Sequence, residues 1–278
     1  MSYYAIGLLL AGLSAFGAAS SHAFLKSGGD KLAIRCWTSI VCAAISLPVA
    51  IWTGPLPQQF WLLMAGFAIL SIFNQIALVK SYEVSDFSHA YPVARGVVPL
   101  AMALLGIVVL GDQVSAPAFI GIFFITLGIL SLAFGRGMSR HGWGLALFTG
   151  LTTVGYNIIL AQGIRQATDA ANFLAWLFVI DGFFSPMYMY YRSRNNMVSR
   201  LRISWPNGWK SGVLGLLSFA SVTYAMRFAP VGIVSAIRES SVLIALVLAS
   251  MMLNERLDRW RIMAGILIVI GGVAIIFG

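Results

Sequence analysis

The chain has 278 residues, of which 59% are hydrophobic and 10% are charged, and its mean hydropathy is +0.88. A soluble globular domain carries about 25% charged residues, so this composition excludes one and indicates an integral membrane protein. A net charge of +9 suits nucleic-acid binding only if a folded polar domain presents it. No connection is long enough for such a domain, and we predict no nucleic-acid partner.

Ten apolar stretches follow one another along the chain, each about long enough to cross a bilayer at roughly 1.5 Å per residue. They cover 3–25, 32–52, 60–80, 88–110, 116–135, 142–163, 171–191, 209–227, 231–253 and 259–277. The connections are short, and only the one from Tyr191 to Lys210 approaches about twenty residues. Binding or catalysis would therefore have to occur within the bundle.

The basic residues are divided unevenly between the connections. If alternate connections lie on opposite faces, Arg165 and Arg227 fall on one face, and Arg95 and Arg238 lie within spans. The rest of the 18 basic residues collect on the other face. Because Lys and Arg are retained in the cytoplasm, that face is inside and both termini are expected outside.

The first five spans are repeated in the last five. Residues 12–17, Gly-Leu-Ser-Ala-Phe-Gly, match 150–155, Gly-Leu-Thr-Thr-Val-Gly. Without a gap, Arg95 falls on Arg238, and Asp112 falls on Glu255 in a second short polar turn. Because each copy has an odd number of spans, the second enters the membrane inverted. The sequence predicts an all-α integral membrane protein of ten transmembrane helices, arranged as two inverted five-helix repeats, 1–138 and 139–278, around a central cavity.

On this duplicated frame lies the pattern Tyr-x8-Tyr-Pro-Val-Ala-Arg, which begins at Tyr82, followed by Pro-Leu and Leu-Gly-Asp-Gln. The chain resembles the EamA-type branch of the drug/metabolite transporter superfamily, and most resembles its YddG-type exporters of aromatic amino acids. The resemblance implies a secondary exporter of small amphipathic metabolites that works by alternating access and uses no cofactor. It also implies the bacterial cytoplasmic (inner) membrane, with both termini periplasmic.

The two arginines within spans are the first candidate substrate contacts. In the related sugar-phosphate translocators, basic residues of the penultimate span hold the anionic end of the substrate, and Arg238 lies in that span here. A guanidinium offers a planar two-point match to a carboxylate, and Arg95 offers the same chemistry in the first repeat. Alternatively, each forms a structural ion pair or reaches towards a helix end.

Two carboxylates, Asp181 and Glu239, also lie within spans. Each can accept a proton, meet a substrate ammonium or neutralise an arginine of another helix. Adjacent helical residues point about 100° apart, so Glu239 need not pair with Arg238. Pro48 and Pro186, at matching places in spans two and seven, are candidate gating hinges or static kinks.

Uncharged polar and aromatic side chains complete the candidate substrate site. Besides the arginines, its members are Asn74, Tyr82, Tyr156, Asn157, Trp176 and Tyr224. The amides bind substrate or link helices by hydrogen bonds, and the rings form an aromatic wall or pack the core.

Gly121 and Gly128 in span five, like Gly265 and Gly272 in span ten, place small residues on one helix face. Such faces let helices pack closely, either inside the monomer that we expect or in a homodimer. The three histidines share no ligand spacing, so we predict no metal site.

Two other classes of function fit less well. The chain has no His-Glu-x-x-His and no Gly-x-Ser-x-Gly, so we predict that it is not an intramembrane enzyme. A membrane scaffold or sensor has no obvious use for matched buried charges. No Gly-x4-Gly-Lys-[Ser/Thr] loop is present to use ATP. Within transport, the alternative is a sugar-phosphate or nucleotide-sugar carrier, although span nine has one basic residue rather than a pair.

Overall fold

The computed structural model describes residues 3–27, 30–84, 87–132, 139–193, 196–241 and 259–277. In these residues lie eleven α-helices, one 3-10 helix (Gln58–Phe60) and no strand. The α-helices are α1 Tyr3–Ser27, α2 Lys31–Thr53, α3 Trp61–Val84, α4 Phe87–Leu110, α5 Ala116–Ser131, α6 Arg140–Gln166, α7 Ala170–Asp181, α8 Phe184–Ser193, α9 Met197–Ala225, α10 Val231–Glu239 and α11 Arg259–Phe277.

Six helical segments of the described chain are long and apolar enough to cross a bilayer, and two shorter apolar helices cover 116–131 and 262–277. The predicted all-helical, multi-pass membrane protein is therefore confirmed. The predicted seventh span is covered by α7 and α8 together. The count of ten spans stays a prediction, because residues 242–258, which include much of the ninth span, lie outside the described residues.

The long connection predicted between Tyr191 and Lys210 is wrong, because α8 extends to Ser193 and α9 already begins at Met197. The polar start of α9 contacts the residues that begin α2. Arg200 binds the Asp30 carboxylate at 2.5 and 2.9 Å. Apolar content alone therefore placed the beginning of this helix too late.

The seventh span is interrupted at Gly182 and Phe183, between α7 and α8. Pro186 has no N–H to donate to the Gly182 carbonyl, and its ring crowds that carbonyl. Pro48 lies in the matching place, yet α2 is continuous through it. The residue four positions earlier is alanine in α2 but glycine (Gly182) in the seventh span, and glycine weakens a helix by about 1 kcal/mol.

The two halves of the chain are interlocked, since α1 packs on α9, α3 on α6, α2 on both α7 and α9, and α4 on both α6 and α10. The Ser14 hydroxyl lies 3.2 Å from that of Ser218 in the α1–α9 contact. In the α3–α6 contact, Asn74 donates to the Thr152 hydroxyl at 3.0 Å. Ser14 and Thr152 are matching positions of the repeat, so equivalent residues each contact a polar side chain of the opposite half.

The helices α5 and α11 pack backbone against backbone through glycines. A Cβ on Gly121 would lie 2.5 Å from the carbonyl oxygen of Gly271, and one on Gly128 would lie 3.0 Å from that of Ala264. The glycine face of α5 is therefore used within the chain.

Contacts between distant turns define two ends of the bundle. At one end Tyr3 stacks on Phe228, with ring centres 5.9 Å apart, and Trp176 donates to the Gly54 carbonyl at 2.9 Å. We call this end, with turns 54–57, 111–115, 167–169 and 226–230, the N-terminal face. The opposite end holds the Asp30–Arg200 pair, and we call it the basic face.

Candidate functional site

The largest buried apolar cluster forms where α1, α3, α4, α6, α7, α9 and α10 meet, so both halves contribute to it. Half-buried aromatic side chains pack against this cluster, namely Tyr156, Trp176, Phe184, Phe219 and Tyr224. Rings that remain partly accessible where the two halves meet are the groups that a small apolar solute would contact.

An ion pair joins α4 of the first half to α10 of the second. Arg95 Nη1 lies 3.1 Å from Glu239 Oε1, with the side chain of Glu239 5% exposed and that of Arg95 22% exposed. Removing one partner from a buried pair leaves an uncompensated charge, so the contact is costly to break on one side only. It couples the position of α10 to that of α4.

The neighbouring Arg238 has a different environment. Its guanidinium carbon lies 5.6 Å from the centre of the Phe219 ring on α9, and Phe178 on α7 meets that ring edge to face at 5.9 Å. A guanidinium over the face of a ring is stabilised by a cation–π contact. Arg95 therefore contacts a carboxylate, whereas the matching Arg238 contacts an aromatic ring.

Asp181 ends α7 at the interruption of the seventh span. Ser71 of α3 and Arg35 of α2 are the polar residues near its carboxylate. One turn further on, Ser185 donates to Gln75 Oε1 at 3.4 Å. The carboxylate therefore lies in a polar contact of α2, α3 and the α7–α8 junction.

Asn74 connects α3 to α6. Its amide nitrogen lies 2.8 Å from the Thr149 carbonyl oxygen, 3.0 Å from the Thr152 hydroxyl and 2.8 Å from the Thr153 hydroxyl. These contacts occupy the donor group of the Asn74 side chain.

The predicted site residues Tyr156 and Asn157 lie side by side on α6. Tyr156 meets Phe67 edge to face at 5.8 Å and is half-buried. Asn157 is 3% exposed and donates to the Thr153 carbonyl at 2.9 Å. Within the described chain its Oδ1 is buried and has no hydrogen-bond partner, which is uncommon for a buried polar atom.

Trp176 and Tyr224 lie towards the N-terminal face. Trp176 is held by its bond to Gly54 and is tilted against Trp61 at 6.4 Å, and Tyr224 meets Phe228 edge to face at 5.1 Å. The predicted contribution of Tyr82 falls on a side chain outside the described part of the structure.

A second ion pair, at the N-terminal face, was not predicted. Arg165, in the last turn of α6, places Nη1 2.7 Å from Asp112 Oδ1. Its Nε donates to the Met226 carbonyl at 2.7 Å and its Nη2 to the Ala229 carbonyl at 3.3 Å. The second Asp112 oxygen accepts the Val231 N–H at 2.7 Å. Four segments from both halves thus meet at one guanidinium and one carboxylate.

Local structure places both groups. Gly111 ends α4 in the left-handed region at φ 70°, which glycine adopts without strain, and the Asp112 N–H then bonds the Gly106 carbonyl at 3.0 Å. A basic side chain in the last turn of α6 is also favoured by the helix dipole. The available sequence signal was that Arg165 is one of two basic residues on that face, where an isolated charge needs a partner.

The family described as the EamA-like transporter family matches residues 5–134 and again residues 141–278. A protein of known crystal structure is similar in fold, with a TM-score of 0.75 over 99% of this chain and 98% of that chain. The two sequences are 16% identical, so this likeness shows the fold alone.

Proposed function

The chain belongs to the EamA-like transporter family, and from this premise we propose that it is a secondary transporter that exports small amphipathic metabolites, aromatic amino acids among them, by alternating access. Membership makes it a membrane transporter of small molecules. The substrate class, the direction of transport, the central cavity and the monomeric state are parts of the proposal. So is the bacterial cytoplasmic membrane, with the N-terminal face and both termini periplasmic, which the distribution of basic residues supports.

One observation carries the substrate class: Arg238 lies on the face of Phe219, beside a central cluster with several half-buried rings. The N–H edge of Arg238 takes the substrate carboxylate in a two-point contact. Tyr156 and Phe219 take the ring. The Asn157 oxygen and the Asp181 carboxylate are the acceptors for the ammonium group.

The Arg95–Glu239 pair supports the alternating-access part of the proposal. Glu239 follows Arg238 on α10, so a shift of α10 that accompanies substrate binding at Arg238 also moves Glu239 relative to Arg95 on α4. Two interlocked halves of similar sequence have two arrangements close in energy, and a ligand selects between them by its differential affinity. Pro48 and Pro186 are the proposed hinges.

Counterflow into proteoliposomes tests this function. Vesicles loaded with unlabelled tryptophan should transiently accumulate external radiolabelled tryptophan or phenylalanine, and excess tyrosine should compete whereas a hexose phosphate should not. Protein-free vesicles are the control. Exchange of a hexose phosphate or a nucleotide sugar would show that the substrate belongs to that class instead. If no amino acid is exchanged, the proposed amino-acid substrate class is rejected.

A further inference from the structure

The Arg165–Asp112 contact has properties that a surface ion pair lacks. Asp112 is 8% exposed and Arg165 24% exposed. Both carboxylate oxygens are used, one by the guanidinium and one by the Val231 N–H, and the guanidinium also binds two backbone carbonyls. We call these five residues, Asp112, Arg165, Met226, Ala229 and Val231, the N-terminal clasp. Charge-assisted bonds of this kind are stronger than neutral ones.

The clasp joins segments that must separate if the N-terminal face is to open. Asp112 belongs to the α4–α5 turn of the first half, and its partners belong to α6, the α9–α10 turn and the first residue of α10 in the second half. Close packing reinforces it: a Cβ on Gly106 would lie 2.6 Å from a Val231 methyl carbon and 2.9 Å from Asp112 Oδ2. The N-terminal face is therefore closed here between the two halves.

The clasp also sets the position of the candidate site. Val231 is the first residue of α10, and Arg238 and Glu239 are the last two residues of the same helix. Residues Val231–Ala236 are all buried, so this short helix has little freedom to move while its first N–H is bound.

We infer that Arg165 and Asp112 are positioning residues of the transport cycle: while their clasp is intact, α10 with Arg238 and Glu239 is held in the arrangement closed at the N-terminal face. Opening that face requires the guanidinium to leave the carboxylate and both carbonyls. The role of the clasp in a transport cycle rests on the proposed function. The contact that closes the N-terminal face does not, because it is a property of the fold.

A cysteine reporter tests the inference without any substrate. Cys36 and Cys42, the two native cysteines, are replaced by serine. The buried Ser235, one turn into α10, then becomes the reporter as Ser235→Cys. Intact cells or right-side-out vesicles are exposed to a membrane-impermeant maleimide. Asp112→Asn should raise the labelling rate on the order of tenfold, which corresponds to a shift of about 1.4 kcal/mol between closed and open states.

The matched control is Asp30→Asn, which breaks the ion pair of the opposite face and should leave external labelling unchanged. If Asp112→Asn is not recovered in the membrane, Arg165→Lys is measured instead, because an ammonium cannot reproduce the fork that binds one carboxylate and two carbonyls. Arg165→Lys should raise the labelling rate above that of the parent by less than the roughly tenfold rise expected for Asp112→Asn, because it keeps the positive charge. Unchanged labelling in the recovered variant, or an equal rise in Asp30→Asn, overturns the inference.

The two proposals fail separately. Faster labelling without amino-acid counterflow would keep the clasp and reject the substrate class. Counterflow by the parent protein with unchanged labelling of the clasp variants would keep the substrate class and reject the clasp. In the variants that transport, the clasp also predicts a changed maximal rate.

Discussion

Adjacent charged residues on α10 differ in what holds them. Glu239 is bound by Arg95 of α4, whereas Arg238 lies over the ring of Phe219. An ion pair that is lost on one side leaves a buried charge, whereas loss of a cation–π contact leaves an aromatic ring that still packs. The two neighbours should therefore respond differently to neutral substitution.

We predict that Arg238→Gln reduces tryptophan counterflow at least about tenfold, the effect expected when a charge-assisted contact worth roughly 1.5–3 kcal/mol is removed. Its melting temperature should change little. The matched variant, Glu239→Gln, removes the negative charge 3.1 Å from Arg95 and should lower the melting temperature clearly. Transport rates in proteoliposomes and melting in detergent measure the two effects. A folding defect in Arg238→Gln equal to that in Glu239→Gln would make Arg238 structural.

Some residue-scale features could be predicted from the sequence and others could not. The matched arginines and the turn acid Asp112 are visible because the repeat places them without a gap. The partners of these residues are not visible, because Arg95 meets Glu239 and Asp112 meets Arg165 only after distant helices pack. Periodicity along one helix carries no information about which residue of another helix lies opposite.

At the scale of helices, the contrast between spans two and seven is the clearest departure from the repeat. Proline stands at the matching place in both, and only the seventh span is interrupted, where glycine precedes the proline by four residues. The interruption leaves Asp181 at the end of a half-helix near the middle of the span. Discontinuous helices at this depth are typical of transporter binding sites.

An N–H at position 186 should make the helix continuous through Gly182 and Phe183. We predict that Pro186→Ala joins α7 and α8 into one helix, and that the maximal counterflow rate falls because the half-helices no longer move separately. Pro48→Ala, in a helix that is already continuous, is the matched control and should transport nearly as well as the parent. Hydrogen exchange over residues 178–190 would detect the new helical bond. Equal losses of rate in the two variants would contradict a special role for the interruption.

Helix positions were predictable because apolar stretches of bilayer length leave few alternatives. The start of α9 and the interruption of the seventh span were not. The first depends on a carboxylate of another segment that binds Arg200, and the second on one glycine whose effect appears only beside a proline. Both are decided by competition between local preferences and tertiary contacts.

At the scale of the whole molecule, an ion pair joins the two halves at each face of the described structure, Arg165–Asp112 at one and Arg200–Asp30 at the other. The Arg165–Asp112 pair is largely buried, whereas the side chains of Arg200 and Asp30 are 31% and 26% exposed. The hydrogen bonds from Arg200 hold the pKa of Asp30 below its ordinary value. Because the pair is partly exposed, its contribution to stability is small, about 1 kcal/mol or less.

The Asp30–Arg200 pair predicts a pH dependence of stability. A carboxyl whose pKa is lowered on folding stabilises the protein above its unfolded pKa, about 3.9, and this stability is lost as the pH falls through the lower folded value. Asp30→Asn should therefore melt about 2 °C below the parent at neutral pH, and the difference should shrink as the pH falls below the unfolded pKa and vanish once the folded carboxyl is protonated. The control is Arg202→Gln, which removes an exposed charge two residues from Arg200 in α9. The Asp30 side chain also accepts a hydrogen bond from the Ala33 N–H at the start of α2, at 3.0 Å. A difference that persists in acid would trace the effect to this cap instead of the ion pair.

The glycine contact between α5 and α11 has a practical consequence. Because the main chains touch where Gly121 meets Gly271, we expect these two helices to move together as one rigid unit in the proposed transport cycle. If the proposed site is right, substitutions that change the substrate can be confined to α4, α6, α7, α9 and α10, while α5 and α11 are kept as a constant scaffold.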